Sequence, residues 1–386
     1  MKILMYAPIF PPAIGGPATQ SHSLCQALMQ KGVAVAVVTP GDRFGISSPD
    51  GYRVYRYRWK FTGLFFDKCI RWIVVPPYLL WVISRERPDI IHCHSVSGLS
   101  LWLGVAARVL GIPTIIKFAG DWVWETLSTS KVKGKEYHDL YTSSLSARFL
   151  TWVERFGLSQ FTVIWVVSEY RRGNIQELLG TDKQVRRIPN SLLLPLGGYE
   201  EKQPDDIPIV ISANRFIPHK RLPMLVRAFA RMQIPQARLV LIGGGDEREA
   251  ELVRDEIRAQ GVEDRVELTG ILPSSEIYDR FKTATLYVSS SLEEGLPNVF
   301  IEAMHFGLPV VSTDVGGSRE IIADNVAGLL VDPMDEQALS STMKRVIEDV
   351  ALRNRLAKGA FEHAKQYDLS IVVESFISMY RSLLKT

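Results

Sequence analysis

The sequence has few of the features that mark secreted, disulfide-bonded or membrane-spanning proteins. It contains three cysteines in 386 residues, Cys25, Cys69 and Cys93, an odd number with no CxxC pair. This pattern argues against a disulfide framework and predicts reduced thiols in a cytosolic compartment. No apolar run reaches the roughly 18 residues of a membrane span. The nearest candidate, residues 72–83, is broken by two prolines.

Several catalytic motifs and any strong charge excess are also missing. The net charge is +3, which is too small to indicate nucleic-acid binding. There is no GxSxG elbow and no GxxxxGK[ST] loop. No D-x-D triplet occurs, and this excludes the commonest carboxylate arrangement for a metal-bound nucleoside diphosphate. The remaining composition, 46% hydrophobic and 23% charged, is that of an ordinary globular protein.

Short apolar runs alternate with amphipathic segments along almost the whole chain. The alternation runs to about residue 190, pauses in a segment rich in Pro, Gly and acidic residues (192–208), and then restarts. Such a pattern predicts parallel strands connected by helices. The predicted fold class is therefore α/β, with two Rossmann-like, doubly wound parallel-sheet domains. Because ligands of such sheets bind at the carboxyl ends of the strands, a cleft between the domains is the expected site.

The stretch SLEEGLPNVFIEAM (291–304) places two carboxylates, Glu294 and Glu302, eight residues apart. Gly295 and Pro297 disfavour one continuous helix through this stretch. We therefore expect Glu294 on a loop, Asn298 as the cap of a following helix, and Glu302 on the first or second turn of that helix. Free N–H groups at a helix start favour an anion, and carboxylates favour hydroxyl groups. A ligand with both phosphate and sugar would fit this combination.

Two further loops follow predicted strands and carry residues suited to a phosphate ligand. Gly15 and Gly16 either allow close approach of the backbone to a ligand or simply form a tight strand-to-helix turn. Arg215 and Lys220, in NRFIPHKR, are cations that can hold a diphosphate, while the alternative is a solvated basic loop. Taken alone, neither loop distinguishes a ligand-binding role from a purely structural one.

Three other motifs have weaker functional interpretations. LIGGGDER (241–248) resembles the dinucleotide fingerprint but has Arg248 in place of its last glycine, which disfavours a nicotinamide oxidoreductase. HCH (92–94) lacks a third ligand for zinc. YRVYRYRWK (52–60) alternates aromatic and basic residues. It is interpreted as an edge strand protected by charge, or one that faces nucleic acid, anionic lipid or a phosphorylated acceptor.

Taken in order, these motifs resemble the pattern of glycosyltransferase family four. The resemblance rests on NRFIPHKRLPMLVRAF, LIGGGDER, EEGLPNVFIEAMHFGLPVVSTDVGGSREII and AGLLVDP, and on the GG loop, DIIHCHS and RIPNS in the first half. It covers nearly the whole chain. It implies a retaining, nucleotide-sugar-dependent glycosyltransferase of the GT-B fold. The alternatives are a non-catalytic sugar-nucleotide binder or another GT-B enzyme, such as a phosphorylase or epimerase.

The resemblance also implies roles for individual residues. Arg215 and Lys220 would neutralise the leaving diphosphate, and Glu302 would accept hydrogen bonds from the ribose. Glu294, with the backbone N–H groups of Gly295 and Leu296, would hold the donor sugar. In the first half of the chain, Gly16 would let the loop reach the diphosphate. With cations in these roles, we expect neither a metal nor a cofactor.

One departure from the family pattern affects the acceptor side. Members often carry a histidine after the strand that reads PTIIKFAG here, and this sequence has Ala119 at that position. Asp121 lies close by and is assigned a polar or proton-handling role in catalysis. Trp122 and Trp124 either stack on a sugar or pack in the core.

The acceptor and the domain limits complete the prediction. The aromatic segment 61–83 indicates either a face toward a bilayer or a buried helix pair. The expected acceptor is a glycan or a lipid-linked saccharide, used in the cytoplasm with a peripheral contact to the cytoplasmic face of the membrane left open. Because the family's last helix crosses back, the predicted domains are 1–195 with 366–386, and 205–365.

Overall fold

The computed structural model describes residues 1–13, 16–59, 67–120, 144–181, 185–194, 199, 201 and 207–385, without the side chains of 67–69. Contacts divide the chain into two compact units: Met1–Ser191 with Leu369–Thr386, called unit 1, and Leu192–Asp368, called unit 2. None of the helices in these described ranges combines the length and apolar character that a bilayer span requires.

The elements of the first part of the chain alternate between strands and helices. In chain order they are β1 Lys2–Tyr6, α1 Gly16–Gln30, β2 Ala34–Gly41, β3 Gly45–Ser47, β4 Arg53–Arg58, α2 Asp67–Glu86, β5 Ile90–Cys93, α3 Gly98–Val109, β6 Thr114–Phe118, α4 Leu145–Leu158, β7 Val163–Val166, α5 Glu169–Leu179 and β8 Val185–Arg187.

The second part repeats this alternation and ends in three long helices. Its elements are β9 Ile209–Ala213, a 3₁₀ turn Pro218–Lys220, α6 Leu222–Arg231, β10 Arg238–Ile242, α7 Glu247–Gln260, β11 Val266–Gly270, α8 Ser274–Thr283, β12 Leu286–Ser289, α9 Asn298–His305, β13 Val310–Thr313, α10 Ser318–Ile321, β14 Gly328–Val331, α11 Glu336–Glu348, α12 Val350–Ala364, a 3₁₀ turn Lys365–Tyr367 and α13 Leu369–Leu383.

The described strands of unit 1 form one sheet in the order β3-β4-β2-β1-β5-β6-β7-β8. All pairs are parallel except β3 with β4. The central strands are apolar and buried because helices cover a parallel sheet on both faces. One of these helices is α13, whose Phe376 and Tyr380 pack against β5 and β7.

The aromatic and basic segment 52–60 does not form a sheet edge, contrary to the expectation from the sequence. Its strand β4 lies between β2 and β3, since the short strand Gly45–Ser47 pairs with its outer side. Tyr55 and Tyr57 are fully buried in the core of unit 1. The edge interpretation was wrong because a three-residue strand gives no periodic signal in the sequence.

The described strands of unit 2 form a wholly parallel sheet in the order β11-β10-β9-β12-β13-β14. Helix α6 buries its apolar face on this sheet, with Leu225, Val226 and Phe229 in the core. Strands β10 and β11 are added on one side of β9, whereas β12, β13 and β14 are added on its other side, so the strand order reverses between β9 and β12. The loops that leave these two strands are therefore placed side by side at the carboxyl edge.

Candidate functional site

The carboxyl edge of the unit 2 sheet holds most of the site residues that were predicted from the sequence. The loop after β9 leads to Lys220, and the loop after β12 contains Glu294. Because β9 and β12 are neighbours at the point where the strand order reverses, these loops meet where ligands of open α/β sheets bind. The fold thus joins residues that are 74 positions apart in the sequence.

Lys220 and Glu294 form an ion pair at this edge. The distance from Lys220 Nζ to Glu294 Oε1 is 2.6 Å, and the side chains are 12% and 8% exposed. Ser291 Oγ donates a second hydrogen bond, also of 2.6 Å, to the same carboxylate oxygen. A charge-assisted pair with a third partner holds both side chains in one geometry.

Hydrogen bonds to backbone carbonyl groups connect the loops that carry this pair. Leu292 N donates to His219 O at 2.8 Å, and Ser290 Oγ donates to Lys220 O at 2.8 Å. The start of the loop after β12, just before Glu294, is therefore joined to the 3₁₀ turn after β9 at two points. Such cross-linked loops pre-organise charged groups for a ligand.

The loop after β13 supports the same site through close backbone packing. Gly317 N donates to Glu294 O at 2.8 Å. A Cβ atom at Gly317 would lie 1.9 Å from Gly295 O, so only glycine fits this position. The glycine pair after this strand, Gly316 and Gly317, therefore fixes the backbone around Glu294.

Glu302 lies on the second turn of α9 (Asn298–His305), the helix that follows the loop carrying Glu294. Burial raises the pKa of Glu302 to about 7, although a hydrogen bond from Tyr278 acts in the opposite direction. The Tyr278 hydroxyl lies 3.4 Å from Glu302 Oε1. The expected cap is absent: Pro297 is the N-cap residue, and Asn298 is the first residue of the helix.

Arg215 follows β9 and is exposed. Its charge acts within the same loop: burial and then Lys220 lower the pKa of His219, Glu293 and Glu294 act in the opposite direction, and Arg215 lowers it further. The cations Arg215 and Lys220 therefore act on the same imidazole. Two cations on one loop, beside the Glu294 carboxylate, can meet a ligand that carries both phosphate and hydroxyl groups.

The glycine run after β10 has a structural explanation. A Cβ atom at Gly243 would lie 1.9 Å from Asn214 O, and Gly243 has a φ of 132°. Phe216 N also donates to Gly244 O at 2.9 Å. The glycines thus let the loops after β9 and β10 pack together, which accounts for the motif without a dinucleotide.

The remaining predicted site residues lie in unit 1, in the loop before α9, or outside the described residues. Gly16, in unit 1, is the exposed first residue of α1. Gly295 is half-buried, while the side chain of Leu296 packs in the core. Asp121 lies outside the described residues, as do Gly15, Trp122 and Trp124.

The HCH motif is part of a buried polar cluster on one face of the unit 1 sheet. The rings of His92 and His94 both lie 5.5 Å from that of Trp165, and Lys117 Nζ lies 4.5 Å from the same ring. His92 Nδ1 is 2.7 Å from the Tyr380 hydroxyl. In the parts of the chain that the structure describes, no group of three potential ligands could hold a metal ion.

Ser290 and Ser291 belong to the site but were not predicted from the sequence. They end the run SSS (289–291), whose first residue is the last of the buried strand β12. Three consecutive hydroxyl groups at the carboxyl end of a buried strand were a usable signal, because such side chains need hydrogen-bond partners when buried. Here the partners are the backbone of Lys220 and the carboxylate of Glu294.

Comparison with known families gives two matches that follow each other along the chain. Residues 15–191 match the family described as "Glycosyl transferase 4-like domain". Residues 200–363 match the family described as "Glycosyl transferases group 1".

Curated relatives of similar length include two transferases. The chain is 22% identical over 399 residues to the "Phosphatidylinositol N-acetylglucosaminyltransferase GPI3 subunit" of Saccharomyces cerevisiae, covering 100% of this chain and 84% of the relative. It is 22% identical over 333 residues to the "Alpha-D-kanosaminyltransferase" of Streptomyces kanamyceticus, covering 79% and 82% respectively.

Solved structures with the same fold cover the whole chain. A sucrose-phosphate synthase from Thermosynechococcus elongatus has a TM-score of 0.82 at 24% identity, covering 100% of this chain and 99% of the other. HepE of Anabaena, solved with UDP and glucose, has a TM-score of 0.75 at 19% identity, covering 99% and 100%. The solved structures show the fold of the chain, and the family matches show its family. The chain therefore belongs to the group 1 glycosyltransferases and has the two parallel-sheet domains of the GT-B fold.

Proposed function

We propose that this glycosyltransferase moves a sugar from a nucleoside diphosphate sugar to a saccharide acceptor, with retention of the anomeric configuration and without a metal. The observation that carries the proposal is the Lys220–Glu294 pair at the strand-order reversal of unit 2. A cation and a carboxylate side by side match a donor that has a diphosphate next to a sugar. The HepE structure of the same fold was solved with UDP and glucose, which supports the same class of donor here.

The leaving diphosphate is the group that Lys220 and Arg215 recognise. When the bond between the sugar and the phosphate breaks, the diphosphate gains negative charge. Fixed cations lower the barrier because they require no rearrangement at that moment. Lys220, held by the 3₁₀ turn, is the fixed cation, and the exposed Arg215 lies earlier on the same loop. These two charges take the place of a metal ion, in keeping with the missing D-x-D triplet.

The two carboxylates bind hydroxyl groups at the two ends of the donor. Glu302 accepts hydrogen bonds from the ribose, and Glu294 accepts them from the transferred sugar. The N–H groups of Gly295 and Leu296, in the loop before α9, contact the sugar or its phosphate. Gly16, at the start of α1, allows the first loop of unit 1 to approach the diphosphate.

The reaction proceeds by attack on the face from which the diphosphate leaves. The acceptor oxygen forms a bond to the anomeric carbon as the bond from that carbon to the phosphate oxygen breaks. The leaving phosphate oxygen takes the acceptor's proton, so no side chain acts as a nucleophile. Asp121 assists by orienting the acceptor or handling its proton.

The acceptor we propose is a glycan or a lipid-linked saccharide, used in the cytoplasm. One relative, 29% identical over 211 residues, is the "Lipopolysaccharide core biosynthesis glycosyltransferase LpsE" of Rhizobium meliloti. Its name refers to a lipopolysaccharide, and that of the yeast relative refers to the lipid phosphatidylinositol. Both names contain a lipid-bearing molecule, which supports a lipid-linked acceptor here.

A donor screen tests this proposal. The protein is incubated with UDP-, GDP- and ADP-sugars in EDTA, and the free nucleoside diphosphate is measured with and without an acceptor mixture. We expect slow release from one donor, acceptor-dependent acceleration, and retention of the anomeric configuration by NMR. Binding without any release would indicate a non-catalytic binder. Loss of activity in EDTA that Mg²⁺ restores would contradict the metal-free mechanism.

A further inference from the structure

Helix α4 (Leu145–Leu158) presents an apolar face to solvent. Leu145, Phe149, Trp152 and Phe156 are 84%, 61%, 60% and 50% exposed. Their spacing of four, three and four residues places them on one side of the helix. A surface helix normally turns such a face to the core, so this face has another use. These four residues are called the α4 stripe below.

The opposite face of α4 already packs on unit 1. Ala147 and Leu158 are buried, and Gly157 lies so close to α3 that a Cβ atom there would be 2.8 Å from Leu101. The aromatic rings of the stripe stack on one another. The ring centroids of Phe149 and Trp152 are 6.2 Å apart, and those of Trp152 and Phe156 are 5.8 Å apart.

The charges on α4 are divided between its two faces. The exposed charged residues are Arg148 and Arg155. The helix has one acidic residue, Glu154, and its side chain is fully buried. The outer face therefore combines three aromatic rings and a leucine with positive charge alone. This combination is typical of helices that lie in the interface of an anionic bilayer, where aromatic rings enter the headgroup region and arginines meet lipid phosphates.

We propose that the α4 stripe docks this protein on an anionic bilayer surface, with α4 lying in the plane of the interface. A second copy of the chain is a poorer partner, because a two-fold contact would bring the same exposed arginines together. Helix α2, part of the segment with a possible bilayer face in the sequence, also exposes apolar side chains, but its two tryptophans contact other elements of unit 1. Trp81, 42% exposed, has its ring centroid 6.0 Å from that of the buried Tyr55 in β4, and Trp72, 49% exposed, lies against Gly98.

Vesicle flotation tests the docking surface. The full chain is mixed with vesicles of phosphatidylcholine, either alone or with enough phosphatidylglycerol to supply negative charge. We expect binding to the anionic vesicles and a loss of about tenfold or more in the Phe149→Ser, Trp152→Ser double variant, since two aromatic anchors are removed. The matched control is Trp72→Ser, Trp81→Ser on α2, which we expect to bind within about twofold of wild type. Loss of binding in the α2 variant alone would overturn the proposal.

The charge requirement is tested separately with Arg148→Glu, Arg155→Glu, which leaves the aromatic rings in place. We expect this variant to lose the preference for anionic over neutral vesicles. An unchanged preference would overturn the anionic part of the proposal.

A fluorescent probe keeps the test valid if a serine variant folds poorly. An environment-sensitive dye on Phe149→Cys should shift to the blue when anionic vesicles are added, while the same dye on Leu252→Cys, an exposed position of α7, should not. A dye at position 149 that is already blue-shifted without lipid, or a wild-type dimer that Trp152→Ser dissociates, would mean that protein covers the stripe. Either result overturns the proposal, and neither affects donor use in solution.

Discussion

The two sheets treat the polar side chains at their carboxyl ends in opposite ways. In unit 2, Lys220 and Glu294 meet as a charged pair held by loops, and each keeps some exposure. In unit 1, His92, His94 and Lys117 are 0%, 4% and 3% exposed and surround the ring of Trp165. The carboxyl edge of the unit 2 sheet carries charged side chains near a possible ligand. In unit 1, by contrast, the titratable side chains are buried.

Burial suppresses charge in the unit 1 cluster. It lowers the pKa of Lys117 to about 7 and that of His92 to about 3, and it holds the pKa of His94 well below its usual value. The amine of Lys117 donates to Gln20 Oε1 at 2.6 Å. The difference teaches that the same α/β architecture yields a binding edge only where its loops supply opposite charges to each other.

Removal of the unit 2 cation should have the largest effect. Lys220→Ala takes away the fixed charge that we propose acts on the leaving diphosphate, and it leaves the Glu294 carboxylate without its cation. We expect kcat/KM for the donor to fall about 1000-fold, since loss of one pre-organised group at a developing charge costs about that much. Steady-state kinetics measures this effect.

The control for that variant is Lys282→Ala, which removes an exposed lysine that pairs with Asp279 on the surface. Its kcat/KM should stay within about twofold of wild type. Equal losses in the two variants would show that net charge, and not the position of Lys220, sustains the activity.

The backbone frame around Glu294 should be the next most sensitive feature. A methyl group in Gly317→Ala meets the carbonyl oxygen of Gly295, so the two loops must separate. We expect a loss of about 2 kcal/mol or more in the free energy of unfolding, together with weaker donor binding. Chemical denaturation and donor titration measure the two effects.

Gly173→Ala is the matched change, because an added Cβ there meets nothing within 4 Å in the middle of α5. It should be neutral or stabilise by up to about 1 kcal/mol. A neutral Gly317→Ala variant would contradict the tight packing of the loops.

Donor affinity should depend on pH through Glu302. The raised pKa, about 7, means that the carboxylate form is lost as the pH falls below 7. Because we propose that ribose hydroxyl groups donate to the carboxylate, the Kd of the nucleoside diphosphate should rise up to about tenfold per unit below pH 7 and level off above it. Calorimetric titration of wild type and Glu302→Gln measures this, and the variant should show a weaker and flatter profile. A pH dependence that survives in the variant would assign it to another group.

The buried lysine of unit 1 should give the smallest effect. Its folded-state pKa is depressed to about 7, so above pH 7 the native protein keeps Lys117 neutral while the unfolded chain stays protonated. The unfolded state then binds more protons, and stability rises with pH. Between about pH 7 and 8.5, wild type should gain about 1 kcal/mol per pH unit in its free energy of unfolding relative to Lys117→Met. Urea denaturation at several pH values measures the difference, and parallel profiles would show that Lys117 is charged in the fold.

The sequence predicted the parallel strands of both units, because their apolar runs are continuous and bounded by turn residues. It also placed Glu294 on a loop and Glu302 on the following helix, since Gly295 and Pro297 separate the two residues. Burial of Lys117 could not be predicted, since a lysine in a strand normally faces solvent. The ion pair of Lys220 with Glu294 depends on the adjacency of β9 and β12, which no local pattern encodes.

Hydrogen–deuterium exchange with and without nucleotide tests the central claim most directly, namely that the carboxyl edge of unit 2 binds the donor. The wild-type protein is exchanged in EDTA with UDP, GDP, ADP or NAD at saturating concentration. We expect one nucleoside diphosphate to protect the loops 214–221 and 291–297, with NAD giving no protection and Lys220→Ala reducing it. Protection by NAD, or protection that leaves both loops unchanged, would contradict the account.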